Sequence, residues 1–204
     1  MAVWDQLASD ESIDKTVKAL MGHGIEAFVV ETRKEAKKKV LDMIPARSEV
    51  MTMTSVTLDA IGLSAEINRA DGKFKPVRDK LYAMDRKTQA VEMNRLGAAP
   101  EVALGSVHAV TQDGSLLIAS ATGSQLPAYV YGAGKVIWVA GSQKIVKDTN
   151  EGMRRIYEYV FPLENERAKK AYGVGSGVNK LLIIHKEIAP GRMTLIVVKE
   201  KLGF

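Results

Sequence analysis

Four polar clusters hold the side chains in this sequence that could do chemistry, each beside an apolar run. The first is Thr54-Ser55-Val56-Thr57. Hydroxyls beside the free N–H groups of a helix start form an anion site. The same residues also fit a simple N-cap, with Thr54 or Ser55 as the cap. The second cluster runs from His108 to Asp113-Gly114. A histidine near a carboxylate can serve as a general base with its pKa tuned by that neighbour. Asp113 is then the orienting carboxylate or itself the base. The alternatives are a hydrogen-bonded histidine at a strand end and an Asp-Gly turn whose side chain caps its own backbone. The third cluster, Thr122-Gly123-Ser124-Gln125, is a small loop whose amides could cradle an anion, or an ordinary connection. The fourth is a pair of lysines, Lys135 after Gly132-Ala133-Gly134 and Lys144, which add charge to a phosphate or carboxylate or lie on the surface. The predicted site therefore comprises His108 and Asp113 as acid/base groups. Thr54, Ser55, Thr57, Gly114, Thr122, Gly123, Ser124, Gln125 and Lys135 are its ligand contacts.

Several chemistries are excluded. The chain has no cysteine, which removes disulfides, thiolate metal sites, iron–sulfur ligation and a cysteine nucleophile. His23 and His185 are isolated, and no His/Asp/Glu spacing resembles a zinc or iron site, so neither a metal nor a cofactor is predicted. No nucleophile-elbow pattern supports a Ser-His-Asp triad. Gly173-Val174-Gly175-Ser176-Gly177 only partly matches a dinucleotide fingerprint, because a strand rather than a helix follows it. A net charge of +5 over 204 residues welcomes anionic ligands but argues weakly for nucleic acid. No apolar run approaches the roughly 20 residues of a membrane span. The opening MAVWDQLASDES carries early acids and no basic-plus-apolar leader, so a cytoplasmic location is expected.

The elements that must position these groups alternate. Ile13, Val17 and Leu20 share a helix face between about residues 12 and 21, with Trp4 and Leu7 expected to pack beside it. Strands are expected at 27–30 and 48–52, and Thr32 caps a helix that ends before Pro45. The basic residues of that helix, Arg33 to Lys39, read as a solvated side. A long helix is expected over 77–96, its stripe of Leu81, Met84, Thr88, Val91 and Arg95 forming core or a dimer contact. Asp148 and Glu151 resemble a capping box that opens a helix to Val160, ended by Pro162. Short charged residues 163–172 form another helix. Runs at 116–118, 136–140, 181–184 and 195–198 read as strands, the last two joined around Pro190-Gly191. Alternation of strands and helices predicts one α/β domain over residues 1–204, in three α/β/α layers around a largely parallel sheet. Three of the runs end in Gly, Ser, Thr or Asp, as strands do around a pocket.

The chain resembles the lactate-utilisation (LUD) domain family. TSVTLDAIGL at 54–63, HAVTQDG at 108–114, TGSQLPAYVYGAGKVIWVAGSQKIVKD at 122–148 and TLIVVKEKLGF at 194–204 carry the likeness in order and at matching intervals. The resemblance implies a fold similar to the NagB/RpiA/CoA-transferase-like superfamily, in which a Ser/Thr turn before a helix binds phosphate or a related anion. It also implies a role in oxidation of L-lactate or a related 2-hydroxy acid, beside iron–sulfur or flavin redox partner proteins. The sequence departs from the family pattern in four places. Gln112 stands where relatives often carry Glu, and an amide cannot form an acyl anhydride. His108 replaces an Asn, and Ser124-Gln125 replaces an Asn-Arg pair, removing a bidentate carboxylate clamp. Tyr172 to Asn179 occupy the position of a cysteine cluster found in some relatives. The expected ligand is a small anionic metabolite, with no nucleic acid or membrane partner and with homodimerisation open. Two alternatives stand beside the lactate-utilisation reading: an enzyme acting on a sugar phosphate or acyl-CoA-like substrate, and a non-catalytic ligand-binding or regulatory domain.

Overall fold

The computed structural model describes residues 4–204. The expectation about a leader rests partly on residues 1–3, which lie outside the described residues. In chain order the elements are α1 (Asp10–Gly22), β1 (Glu26–Val30), α2 (Arg33–Met43), β2 (Glu49–Thr52), α3 (Val56–Ala60) and α4 (Leu63–Ile67). Then come β3 (Lys75–Pro76), α5 (Val77–Ala83), α6 (Arg86–Ala98), β4 (Val102–Gly105), β5 (Ala109–Thr111) and β6 (Leu116–Ser120). A π-helical turn at Ala128–Gly132 leads to β7 (Lys135–Gly141), a 3-10 turn at Ser142–Lys144 and β8 (Ile145–Val146). The chain closes with α7 (Thr149–Arg155), a π-helical stretch at Ile156–Val160, α8 (Phe161–Tyr172), β9 (Lys180–Ile184) and β10 (Met193–Val198).

Six strands form one sheet in the order β1-β10-β7-β4-β2-β3, and every pairing in it is parallel. A parallel sheet buried on both faces needs apolar residues at successive positions. Val136-Ile137-Trp138-Val139 and Leu195-Ile196-Val197-Val198 provide them. Val136, Trp138, Leu195 and Val197 enter one core, while Ile137, Val139, Ile196 and Val198 enter the other. The second core is covered by α2, α3 and α4 through Ala36, Val40, Leu58, Leu63 and Ile67. Thr32 and Ser55 cap α2 and α3, accepting from the amides of Glu35 and Leu58.

The other face adds a second sheet to the expected three-layer arrangement. There α1 shares the layer with a second sheet, β8-β5-β6-β9, whose Val110, Leu116 and Ile118 pack with Ile13 and Leu20. The outer face of this small sheet buries Ala109 and Leu117 against Ile156 and Trp4. Trp4 thus packs there rather than beside α1, and Leu7 is half exposed. The two C-terminal strands are also not a hairpin. β9 pairs antiparallel with β6, and β10 inserts between β1 and β7.

Two helices differ from the sequence reading. The expected 77–96 helix breaks at Met84, whose ψ of 143° is extended, and restarts with Asp85 capping the Lys87 amide. Its stripe is not core, since α6 buries none of its residues and Val91 is exposed. The helix begun by Asp148 does not stop at Pro162. The backbone stays helical from α7 through the π stretch into α8, and Pro162 follows directly on that stretch, whose wider hydrogen-bond spacing already departs from the regular ladder. A variant of the capping box is present: Asp148 accepts from the Glu151 amide at 2.9 Å, and Glu151 accepts from the amide of Lys147, one residue before the cap, at 2.6 Å. No helix among the described residues is long and apolar enough to cross a membrane.

Candidate active site

Because the main sheet is parallel, the carboxyl ends of its strands lie along one edge, where α/β sheets place ligands. A cleft of about 1060 Å³ opens there. The β2–α3 turn supplies Met53 to Thr57, and the β4–β5 turn supplies Ser106 to His108. The loop after β6 supplies Ala121 to Gln125, α5 and α6 form one wall, and α8 with the 174–178 loop forms another. Lys144, just past β7, belongs to the floor. Gly105, the last residue of β4, has Tyr129 packed so close that any Cβ would collide with the phenol oxygen. The missing side chain lets the ring close the cleft floor edge-on against Trp138, with centroids 5.2 Å apart.

Lys144 is the buried centre of this floor. Only 2% of it is exposed, and its Nζ lies 3.0 Å from Thr57 Oγ1, 3.0 Å from Ser106 Oγ and 3.2 Å from the Val107 carbonyl. Burial holds its pKa well below the ordinary lysine value, and the nearby Arg155 cation pushes the same way. Arg155 is itself fully buried. It donates to the carbonyls of His108 and Trp4, and its Nε has no partner. Desolvation lowers its pKa to about 10, so it stays charged at neutral pH.

His108 is mostly buried, with part of its surface on the cleft. Its Nδ1 accepts the Ala119 amide at 3.1 Å, and a backbone N–H can only donate, so the proton sits on Nε2. Burial, and then the charges of Lys144 and Arg155, drive its pKa down to about 3. The ring is therefore a neutral hydrogen-bond donor, not the general base expected from sequence.

At the cleft wall, Arg78 reaches across from α5. Its Nε donates to the Thr52 carbonyl at 2.7 Å, Nη2 to Thr54 Oγ1 at 2.6 Å and Nη1 to Tyr82 Oη at 3.1 Å. It has no carboxylate partner among the described residues.

Of the predicted site residues, Thr54, Ser55, Thr57, His108, Thr122, Gly123, Ser124 and Gln125 line this one cleft. Thr57 is spent internally, donating to the Leu202 carbonyl and accepting from Lys144, and Ser55 caps α3. That helix has five residues, so its end contributes little dipole. Three residues lie elsewhere. Asp113 and Gly114 form the tip of the β5–β6 hairpin, at the far end from His108. Asp113 is exposed and bonds Thr111, and Gly114 lies against the α1 backbone at Ala19 and Leu20. Asp113 therefore cannot orient His108. Gln112, at the same tip, bridges Ser12 and Lys15 of α1, so the change from Glu falls outside the cleft. Lys135 begins β7 while the cleft lies beyond its end, roughly 20 Å away at about 3.3 Å per residue.

The sequence reading missed Arg78 and Ser106 as site residues and favoured a surface position for Lys144. Gly105-Ser106 closes an apolar strand and carried a signal by the strand-end rule. Lys144 sits between two apolar runs, which was a weaker signal, and nothing local distinguishes Arg78.

The model of the LUD domain matches residues 13–198. The chain belongs to the LUD domain family. No curated protein matches it in sequence. Among solved structures, this LUD domain is similar to a DUF162 family protein from Deinococcus radiodurans, at 13% identity and a TM-score of 0.58, over 95% of this chain and 99% of that one. That likeness is one of fold. A ribose-5-phosphate isomerase in complex with phospho-erythronic acid aligns over 64% of this chain and 66% of its own, at 17% identity and a TM-score of 0.36.

Proposed function

We propose that the cleft binds a small anionic metabolite, a carboxylate or phosphate, held by Arg78 and Thr54 at the wall and offered the His108 Nε2–H from the floor. Membership of the LUD domain family supports a link to lactate utilisation at family level, and lactate or a related 2-hydroxy acid is the proposed metabolic setting. The chain has no cysteine, so in this reading a thiolate-held iron–sulfur cluster belongs to a partner chain. The observation that carries the proposal is Arg78, a part-buried guanidinium at the strand ends with no carboxylate to neutralise it. Arg155 adds a second uncompensated cation behind the floor. Desolvated cations of this kind gain more from an incoming anion than exposed ones do.

Thermal unfolding with lactate, pyruvate, inorganic phosphate, sugar phosphates and CoA thioesters tests it. A ligand at 100 times its Kd adds about 2.7 kcal/mol to the native state. For a chain of this length that is a rise of roughly 5–10 °C. Arg78→Met should abolish the rise. An unchanged rise in that variant, or none with any of these anions, would refute the proposal.

A further inference from the structure

Lys144 and Ser106 together do more than an anion site requires. Thr57 Oγ1 gives its own proton to the Leu202 carbonyl at 3.2 Å, so towards Lys144 it accepts. The Val107 carbonyl can only accept. These two contacts use both N–H groups of an uncharged amine. The third neighbour, Ser106 Oγ, lies 3.0 Å away and is the one partner only half buried on the cleft; its hydroxyl donates to the Val107 carbonyl at 3.3 Å, and rotated from that carbonyl it meets the lone pair of the uncharged amine.

We propose that Ser106 and Lys144 form a nucleophile–base dyad for acyl transfer or hydrolysis of an ester or thioester whose acyl part ends in an anionic group. The proposal rests on the anion site above for substrate placement, not for the dyad itself. Ser106 Oγ forms a bond to the carbonyl carbon as its proton passes to Lys144 Nζ. The tetrahedral adduct expels the alcohol or thiol, which takes that proton back from Lys144. Water, or an acceptor alcohol, then attacks the seryl ester. It gives its proton to Lys144, which returns it to Ser106 as the carboxylic acid or new ester leaves. No oxidant or metal enters this balance. Lys144 has no carboxylate partner among the described residues, and burial beside Arg155 favours its uncharged form: the charged groups and the histidine on the floor and walls are Arg155, His108, Arg78, Arg86, Asp59 and the Glu164–Arg167 pair.

The test uses an uncharged alkyl fluorophosphonate on the full chain, with the adduct located by peptide mass spectrometry. It phosphonylates an activated serine with loss of fluoride and needs no anion site. Labelling at Ser106 is expected, abolished in Ser106→Ala. It should slow at least about 100-fold in Lys144→Met and in Lys144→Arg, the second keeping the charge but not the base. Should either variant fail to fold, the wild-type rate against pH decides: it should reach its plateau well below pH 10.5. No adduct on Ser106, equal rates in the Lys144 variants, or a midpoint near 10.5 would overturn the dyad. Thermal shifts without labelling sink the dyad alone, and labelling without thermal shifts sinks the anion site alone.

Discussion

The two ends of the β5–β6 hairpin carry similar residues and do opposite things. At the tip, Thr111 bonds Asp113 and the Ser115 amide, Ser115 Oγ meets His185 Nδ1 at 2.9 Å, and Gln112 and Gly114 lean on α1. At the base, His108 and the Ser120–Gln125 loop meet residues from the β2–α3 turn, the β4–β5 turn, the turn after β7 and α7, and Arg78, Lys144 and Arg155 there form no ion pair among the described residues. Polar residues that find their partners away from the cleft are structure. Polar residues completed only by distant strands, with charge left uncompensated, are the candidate site.

Four measurements break or sharpen this contrast. Arg155→Ala should have the largest effect, a loss of about 3 kcal/mol or more in urea unfolding, because it empties a buried volume and strands the carbonyls of His108 and Trp4. A loss below about 1 kcal/mol would mean the base of the hairpin is no more tightly built than its tip.

Acid comes next. His108 is held at about 3 in the fold against 6.5 in the unfolded chain. Below pH 6.5 the unfolded chain therefore takes up a proton that the native state refuses. Its contribution is complete above 6.5 and falls as pH drops towards 3, by about 2 kcal/mol between pH 7 and pH 5. The buried Lys144, also shifted down, acts with the same sign at higher pH. His108→Gln should flatten the acid limb, and an unchanged slope in that variant would place the titration elsewhere.

Ser55→Ala should cost about 1 kcal/mol, the usual worth of an N-cap, if Ser55 serves α3 rather than the ligand. The smallest effect is expected at the tip. Asp113→Asn should move stability by no more than about 0.5 kcal/mol and leave anion-induced thermal shifts as they are. A lost shift would return Asp113 to the site.

What could be read from the sequence follows the same division. Thr32 capping α2, Asp148 with Glu151, and the apolar strands of the parallel sheet are short-range patterns, and each is found where its residues predicted it. The expected anion loop at 122–125 does line the cleft, because a loop after an apolar strand is positioned by that strand. Lys135 and Asp113 were misplaced for the converse reason. Strand ends look alike in sequence, and only direction within the sheet tells which end faces the ligand. The break at Met84-Asp85 carried an N-cap aspartate, but the apolar stripe ran through it and masked it. Burial of Lys144 depends on Thr57 and the Leu202 carbonyl, 87 and 58 residues from it in the chain, which no local window contains.

The strand order carries a consequence for biosynthesis. β10 is the last strand along the chain, yet it is the only partner of β1 and the link that joins β1 to β7. On the ribosome, a nascent polypeptide that has emerged through β9 still has a vacant slot between its first strand and the remainder, bordered by bare amides and carbonyls. Such a gap invites the matching strand of a neighbouring nascent molecule on the same message. Chaperone shielding of that slot, or slow elongation before Met193, would govern the yield of active protein.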